Sequence, residues 1–255
     1  MNTEHFSLKR FTQLLLRQRM LNMKTWLIAM ISVAGFILFV AFLVQMTSPV
    51  PDVWMKTFEI LGIISFVVMG LVFGSLAFSE MGTYSRSLQF VTLPASRFEK
   101  FFSAWLVTSV FYIIFAVAIL FVTSLLMTLV SMGLYEGSFI VFNPFTEQFG
   151  NALLAFFIAH SFFFLGAVWF RKGAFFKTLL TLFVVNVITN VWMAILFFII
   201  INPFKLLTGA GGAVFNFDGS IVSEQLLSWS VMGFFSVLAL FMLLTAWVRF
   251  KEREV

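Results

Sequence analysis

Apolar positions along the chain gather into six long runs, 25–45, 53–78, 101–130, 151–170, 174–201 and 229–250, and nearly all charges sit between them. Each run meets the roughly 20 residues a helix needs to cross about 30 Å of hydrocarbon. None shows the ten-residue alternation of a membrane barrel. The pattern predicts an all-α, polytopic membrane protein with six transmembrane helices. The runs at 101–130 and 174–201 exceed what a bilayer requires and are expected to tilt or to continue past it. Ahead of the first run, HFSLKRFTQLLLRQRMLNMK places Leu8, Phe11, Leu14, Leu15 and Leu21 near one helical face and most cations off it. It predicts an amphipathic helix over 1–24 that lies in the interface, cations toward anionic lipid. The expected plan is that helix, a six-span domain over 25–250 and a short tail over 251–255.

Charge placement orients the spans. Fourteen of the sixteen Lys and Arg residues fall in the amino-terminal segment, the second and fourth connections and the tail. The remaining connections hold only Lys56 and Lys205, together with several acids. Cytoplasmic connections are the ones enriched in Lys and Arg, so both termini are expected in the cytoplasm, and only an even number of spans satisfies the pattern. Trp26, Trp54, Trp105, Trp169, Trp229 and Trp247 fall near expected span ends, where indoles prefer to sit, and Trp192 alone lies deep. The first run is too long for a signal-peptide core and is followed by no small-x-small cleavage site, so it reads as a retained span.

Composition sharpens the class. The chain has 255 residues, 61% hydrophobic, with 38 Phe and only 11% charged, against about 25% charged in ordinary globular domains. The net charge of +5 belongs to one membrane face, so no nucleic-acid partner is expected. With no cysteine, disulfides and thiolate metal sites are excluded. There is no H-E-x-x-H, no G-x-S-x-G and no cluster of carboxylates on one span, so neither a metal site nor hydrolase chemistry is expected. No G-x-x-x-x-G-K-[ST] occurs either. The chain is therefore not expected to bind a triphosphate or any cofactor itself.

The sharpest interruption is the 79–100 connection, which ends in FVTLPASRFEKFF. Ser96 and Glu99 have the S-x-x-E spacing of a capping box ahead of an apolar run, and Pro94 disfavours helix at Leu93. The third helix is thus expected to start at Ser96 or Arg97. Leu88, Phe90, Val91 and Leu93 remain in a cytoplasmic segment with no lipid to cover them, which suggests a docking surface for another protein.

The stretch SLAFSEMGTYSRSLQFVTLPASRFEKFFSAWL resembles the connection between the second and third spans in permease subunits of bacterial ABC-2 type transporters. There a Leu-Pro, a small residue, an Arg and a Glu precede the third span. The order of elements, an amphipathic amino-terminal helix, six spans and a longer external segment before the last, is similar too. The resemblance implies residence in the bacterial cytoplasmic (inner) membrane and a connection that contacts a separate ABC ATP-binding subunit, which would carry ATP and Mg. It also implies a second permease chain, homo- or heterodimeric. Leu93, Pro94, Ser96, Arg97 and Glu99 match the motif, with Arg86 and Phe90 as neighbours. For Ser96 and Glu99, capping alone is a sufficient job. An ATPase-independent secondary transporter or channel, or a non-transporting scaffold or sensor, stays open as an alternative.

Polar residues at membrane depth usually face a bundle interior. Asn186 and Asn190 share one face of the fifth span and His160 sits midway along the fourth. Glu59 lies one turn inside Lys56, with the spacing of an i, i+3 ion pair. These four are candidates for a substrate path, against a plainer role as interhelical hydrogen-bonding groups or boundary pairs. Gly70 and Gly74 form a small-xxx-small face for packing within the chain or against a second one. In the external segment over 202–228, the resemblance implies a short re-entrant helix near 214–227.

Overall fold

The structure is a computed structural model that describes residues 6–48, 50, 52–82, 84–208 and 224–253. The described residues are all-helical, with no strand among them. The helices are α1 (Leu8–Thr47), α2 (Trp54–Ser75), α3 (Tyr84–Val91), α4 (Arg97–Leu106), α5 (Tyr112–Tyr135), α6 (Glu147–Trp169), α7 (Ala174–Thr208) and α8 (Glu224–Arg253). A 3₁₀ turn, Ser79–Gly82, precedes α3, and a π-helical turn, Val107–Phe111, joins α4 to α5 in one continuous rod. Six stretches are long and apolar enough to cross a membrane: Met23–Thr47, Trp54–Ser75, Arg97–Tyr135, Glu147–Trp169, Ala174–Phe198 and Met232–Arg253. Each expected run is met by one of them. The third, with 39 residues, measures about 58 Å at 1.5 Å per residue, well beyond the hydrocarbon. The re-entrant segment expected near 214–227 falls largely outside the described residues; from Glu224 onward the chain is already α8.

At the amino-terminal end the expected helix and the first span are continuous, the span-like stretch beginning at Met23. Helix α1 runs unbroken through 40 residues. No residue that breaks a helix lies between Met20 and Trp26, since the stretch holds neither Gly nor Pro. Its inward face is also narrower than the apolar count suggests. Phe11, Leu14 and Gln18 are buried, whereas Leu8 and Leu21 are exposed. Phe11 stacks on Phe102 with centroids 5.7 Å apart, and Gln18 Nε2 donates to Ser103 Oγ at 3.3 Å.

The core is aromatic. Phe66, Phe73, Tyr112 and Phe156 interlock at centroid separations of 5.3–5.6 Å. That packing depends on α2 offering no side chain at two positions. A Cβ at Gly70 would lie 2.7 Å from Tyr112 Cε1 and closer still to Phe156, and one at Gly74 would lie 2.8 Å from His160 Cδ2. The small-xxx-small face is thus filled within the chain, by α5 and α6. Farther along, α8 approaches α6 through a seam of Ala239, Ala246 and Phe250, all buried. By contrast, α7 buries only Thr178 among its described side chains, where α7 meets Gly166 of α6.

At the end of the bundle holding the α1–α2 and α5–α6 connections, a stripe of hydroxyls on α5 organises the return chain. Ser124, Thr128 and Ser131 recur at i, i+4 and i+7 and are fully buried. Ser124 Oγ accepts from Phe142 N–H at 3.0 Å, and Thr128 donates to the Ile140 carbonyl. The 136–146 segment thereby tucks Phe142 against Phe58 and Phe149. Asp52, in the left-handed region at φ 61°, accepts from the Ser138 amide at 3.0 Å and from the hydroxyls of Ser131 and Ser138. The hydroxyl and amide of Ser138 hold its carboxyl below the usual carboxylate range, against the opposing effect of burial.

Two outcomes follow from these contacts. Gly70→Ala is expected to lower the thermal midpoint in detergent, overpacking costing about 1–3 kcal/mol. Gly35→Ala, with nothing within 4 Å of the new methyl, is expected to be neutral or stabilising by up to about 1 kcal/mol. Because the folded Asp52 carboxyl titrates lower than the unfolded one near pH 3.9, its contribution is complete above that value and is lost as pH falls through the folded pKa. Melting curves of Asp52→Asn against the parent should converge at acid pH and separate above about pH 5.

Candidate functional site

The 79–100 connection folds as a compact block, and its anchor is one carboxylate. Ser96 is the N-cap of α4: its hydroxyl accepts from Glu99 N–H at 3.2 Å, while Glu99 Oε2 accepts from Ser96 N–H at 2.8 Å, completing the capping box. The other oxygen, Oε1, accepts from Ser7 N–H at 2.6 Å and from Arg10 Nη2 at 3.3 Å. Ser7 is the N-cap of α1, whose first turn contains no acid of its own. One fully buried carboxylate therefore serves the positive ends of two helices, where negative charge is favoured. Burial of a charge is tolerable only when it is paired and hydrogen-bonded, and here each oxygen has a backbone donor.

Neighbouring contacts fix the rest of the block. Lys100, also buried, donates from Nζ to the Val91 carbonyl at 3.0 Å, capping the carboxyl end of α3, and lies 5.5 Å from the Phe90 ring. Arg17 on α1 pairs with Glu80 in the 3₁₀ turn at 3.0 Å. Phe101 packs against Phe164, Trp247 and Phe250, so α4, α6 and α8 share one aromatic knot. Gly82 abuts the Arg171 carbonyl, where a Cβ would lie 2.8 Å away. Between that turn and residues 170–174 opens a cavity of about 240 Å³ lined in part by Ser75, Ser79, Arg171 and Lys172. Ser7, the 79–100 block, the 170–173 turn and Arg253, which donates to the Val168 carbonyl, thus gather at one end of the bundle.

The residues expected to form a docking surface divide into two sets. Phe90 is buried against Phe250 and Leu93 is half-buried in the same cluster, so neither presents its side chain outward. The reason is period: in α3, Phe90 lies on the helical face opposite Leu88. What faces out is Leu88 at 49% exposure, Val91 at 38%, Phe98 at 50%, and the exposed Pro94 and Arg97. Phe6 extends this patch, its ring 6.3 Å from Phe98. Arg86 belongs to α3, and its side chain lies outside the described residues.

The polar residues at depth do not converge. Glu59 is half-buried on α2, and Lys56 and Glu59 form no ion pair. Asn186 and Asn190 are exposed on α7, where Asn190 Nδ2 donates to the Asn186 carbonyl at 2.8 Å and to Oδ1 at 3.1 Å. Among the described residues they are joined to each other and not to a second helix. His160 is fully buried on α6, stacked on Phe164 and tilted against Phe156, with Nε2 3.1 Å from Thr108 Oγ1. Thr108 Oγ1 also donates to the Ala104 carbonyl at 2.9 Å. The Nδ1 of His160 is buried with no hydrogen-bond partner among the described residues.

Two features escaped the sequence reading. Thr108 and Ser109 lie in the π turn, where a widened helix leaves carbonyls poorly served. The Ser109 hydroxyl donates to the Trp105 carbonyl at 2.7 Å, as Thr108 does to Ala104. The T-S pair amid apolar residues was the available signal, as were the hydroxyls at i, i+4 and i+7 on α5. Among the described residues, no group of three His, Cys, Asp or Glu side chains is placed to hold a metal ion. Comparison with protein-family models, curated proteins and solved structures gave no match.

The clamp has a direct test. Glu99→Ala removes a cap, strands the Ser7 and Ser96 amides and costs about 3 kcal/mol; Glu99→Gln, which can still occupy a capping box, should lose less. Hydrogen exchange should show Ser7 and Ser96 deprotected together in the alanine variant, since one acceptor serves both.

Proposed function

We propose that this chain is the membrane-spanning permease subunit of an ATP-driven ABC-2 type exporter in the bacterial cytoplasmic membrane. The 79–100 block would face the cytoplasm and be gripped by a separate ATPase subunit that binds ATP and Mg. The observation that carries the reading is the construction of that block. It is tied to α1 by Glu99 and to α6 and α8 by the Phe101 knot, while Leu88, Val91, Pro94, Arg97 and Phe98 stay exposed on the same connection. A push on such a surface reaches three membrane helices without first deforming a loose loop.

In this mechanism approach of two ATPases displaces the block and tilts the rod formed by α4 and α5. The π turn is the place for that rod to flex, because hydroxyls of Thr108 and Ser109 already satisfy carbonyls there. ATP can drive the change only if the ATPase contacts differ in free energy between the two arrangements. The exporter works as a dimer, with the α7 face carrying Asn186 and Asn190 turned toward a second permease chain. Exposed amides in hydrocarbon are costly and find partners across helices. The cargo is hydrophobic or amphipathic, a peptide, drug or lipid-like molecule, moving between the two chains.

Co-purification tests this. A tagged chain extracted in mild detergent should bring an ATP-binding subunit with it. Arg97→Glu or Leu88→Asp should remove that subunit, and Leu88→Asp should leave the melting temperature near the parent value, since exposed substitutions are usually within about 0.5 kcal/mol. If no ATPase accompanies the chain, or the purified chain moves solute unaided, the reading fails in favour of a secondary transporter or channel.

A further inference from the structure

A second surface of the molecule is independent of the ATPase reading. Between the first half of α1 and the rod that follows the π turn runs a groove of about 430 Å³, within the roughly 300–1,000 Å³ of small-molecule sites. Its two walls differ in chemistry. The α1 wall carries Thr12, Leu15, Leu16, Arg19, Met23 and Trp26; the opposite wall, from Val107 to Ala118, is wholly apolar.

The α1 wall is a single helical stripe. Positions 12, 16, 19, 23 and 26 alternate in steps of four and three, and stepping back by three adds the exposed Lys9. Unlike Arg10 and Arg17, which pair with Glu99 and Glu80, Arg19 has no hydrogen bond or ion pair among the described residues. No acid lies anywhere in α1 to neutralise it. The groove is therefore a long apolar trough with one uncompensated guanidinium and a hydroxyl on one side, next to a tryptophan of the kind that sits at the headgroup boundary.

We infer that this groove is a binding site for an anionic phospholipid of the surrounding leaflet. An acyl chain would lie along Phe111, Ile114 and Ala118, and the phosphate would be held by Arg19. Charge complementarity selects this occupant: a zwitterionic lipid gains the same apolar contact but carries a cation that opposes Arg19. Guanidinium suits the role, because its planar fork meets two phosphate oxygens at once.

The experiment uses the full chain in detergent, exchanged against phosphatidylglycerol or phosphatidylcholine with identical acyl chains, and native mass spectrometry to count retained lipid. About a fivefold preference for phosphatidylglycerol is expected, the size of one cation's attraction to an anionic surface. Arg19→Gln should abolish the preference while leaving some lipid bound. Ile114→Trp, which fills the trough from an exposed position, should reduce retention of both lipids. Lys24→Gln, an exposed cation outside the groove, should change neither. The inference is overturned if Lys24→Gln lowers the preference as much as Arg19→Gln, since the cause is then a diffuse field. It is overturned equally if no lipid is retained, or if the chain forms a dimer that Ile114→Trp dissociates, which would place a second copy in the groove. None of these outcomes depends on whether an ATPase binds.

Discussion

The arrangement turns on a buried carboxylate that answers two helix ends at once. A helix begins with unsatisfied amide donors and a partial positive charge, and in a chain with so few acids these ends must share. Glu99 is capped to its own helix by sequence proximity and to α1 only by tertiary structure. The first link is local, the second long-range, and both use the same group. The start of the chain, the connection between the second and third spans and the rod that follows are consequently one mechanical unit.

The polar residues elsewhere follow a similar economy. In water an exposed backbone group is satisfied by solvent; in hydrocarbon it must be satisfied from within. Wherever the backbone departs from regular α-helix at depth, hydroxyls appear: Thr108 and Ser109 at the π turn, Ser124 and Thr128 where the 136–146 segment folds back. These small side chains allow irregular backbone in places where a fully apolar sequence would permit only straight helices. They are also why the third span, the longest, differs from a plain hydrophobic rod.

Most of the architecture was legible because lipid imposes a simple rule. Six apolar runs and six span-like helices correspond, and the Ser96 and Glu99 spacing located the start of α4 to within one residue. What was not legible arose from partners distant in sequence. That Glu99 also receives Ser7 and Arg10 depends on which helices meet, and no spacing encodes it. The inward turn of Phe90 and Leu93 required knowing that α8 passes beneath them. That the amino-terminal helix runs into the first span without a break was not legible from its amphipathic pattern, since composition sets the environment of a helix and only breakers or caps end one. The Lys56 and Glu59 spacing permitted a pair that the side chains do not make, as i, i+3 neighbours gain only a few tenths of a kcal/mol in any case.

The absence of a joint in α1 has a geometric result. A helix of 40 residues is a lever of about 60 Å, clamped near one tip through Ser7. Swinging such a lever by about 10° carries its far tip roughly 10 Å sideways. Because Ile37 and Ala41 of the same helix are buried in the aromatic core, a displacement at the carboxylate would reach the opposite side of the bilayer only by carrying the helices packed on α1 along with it.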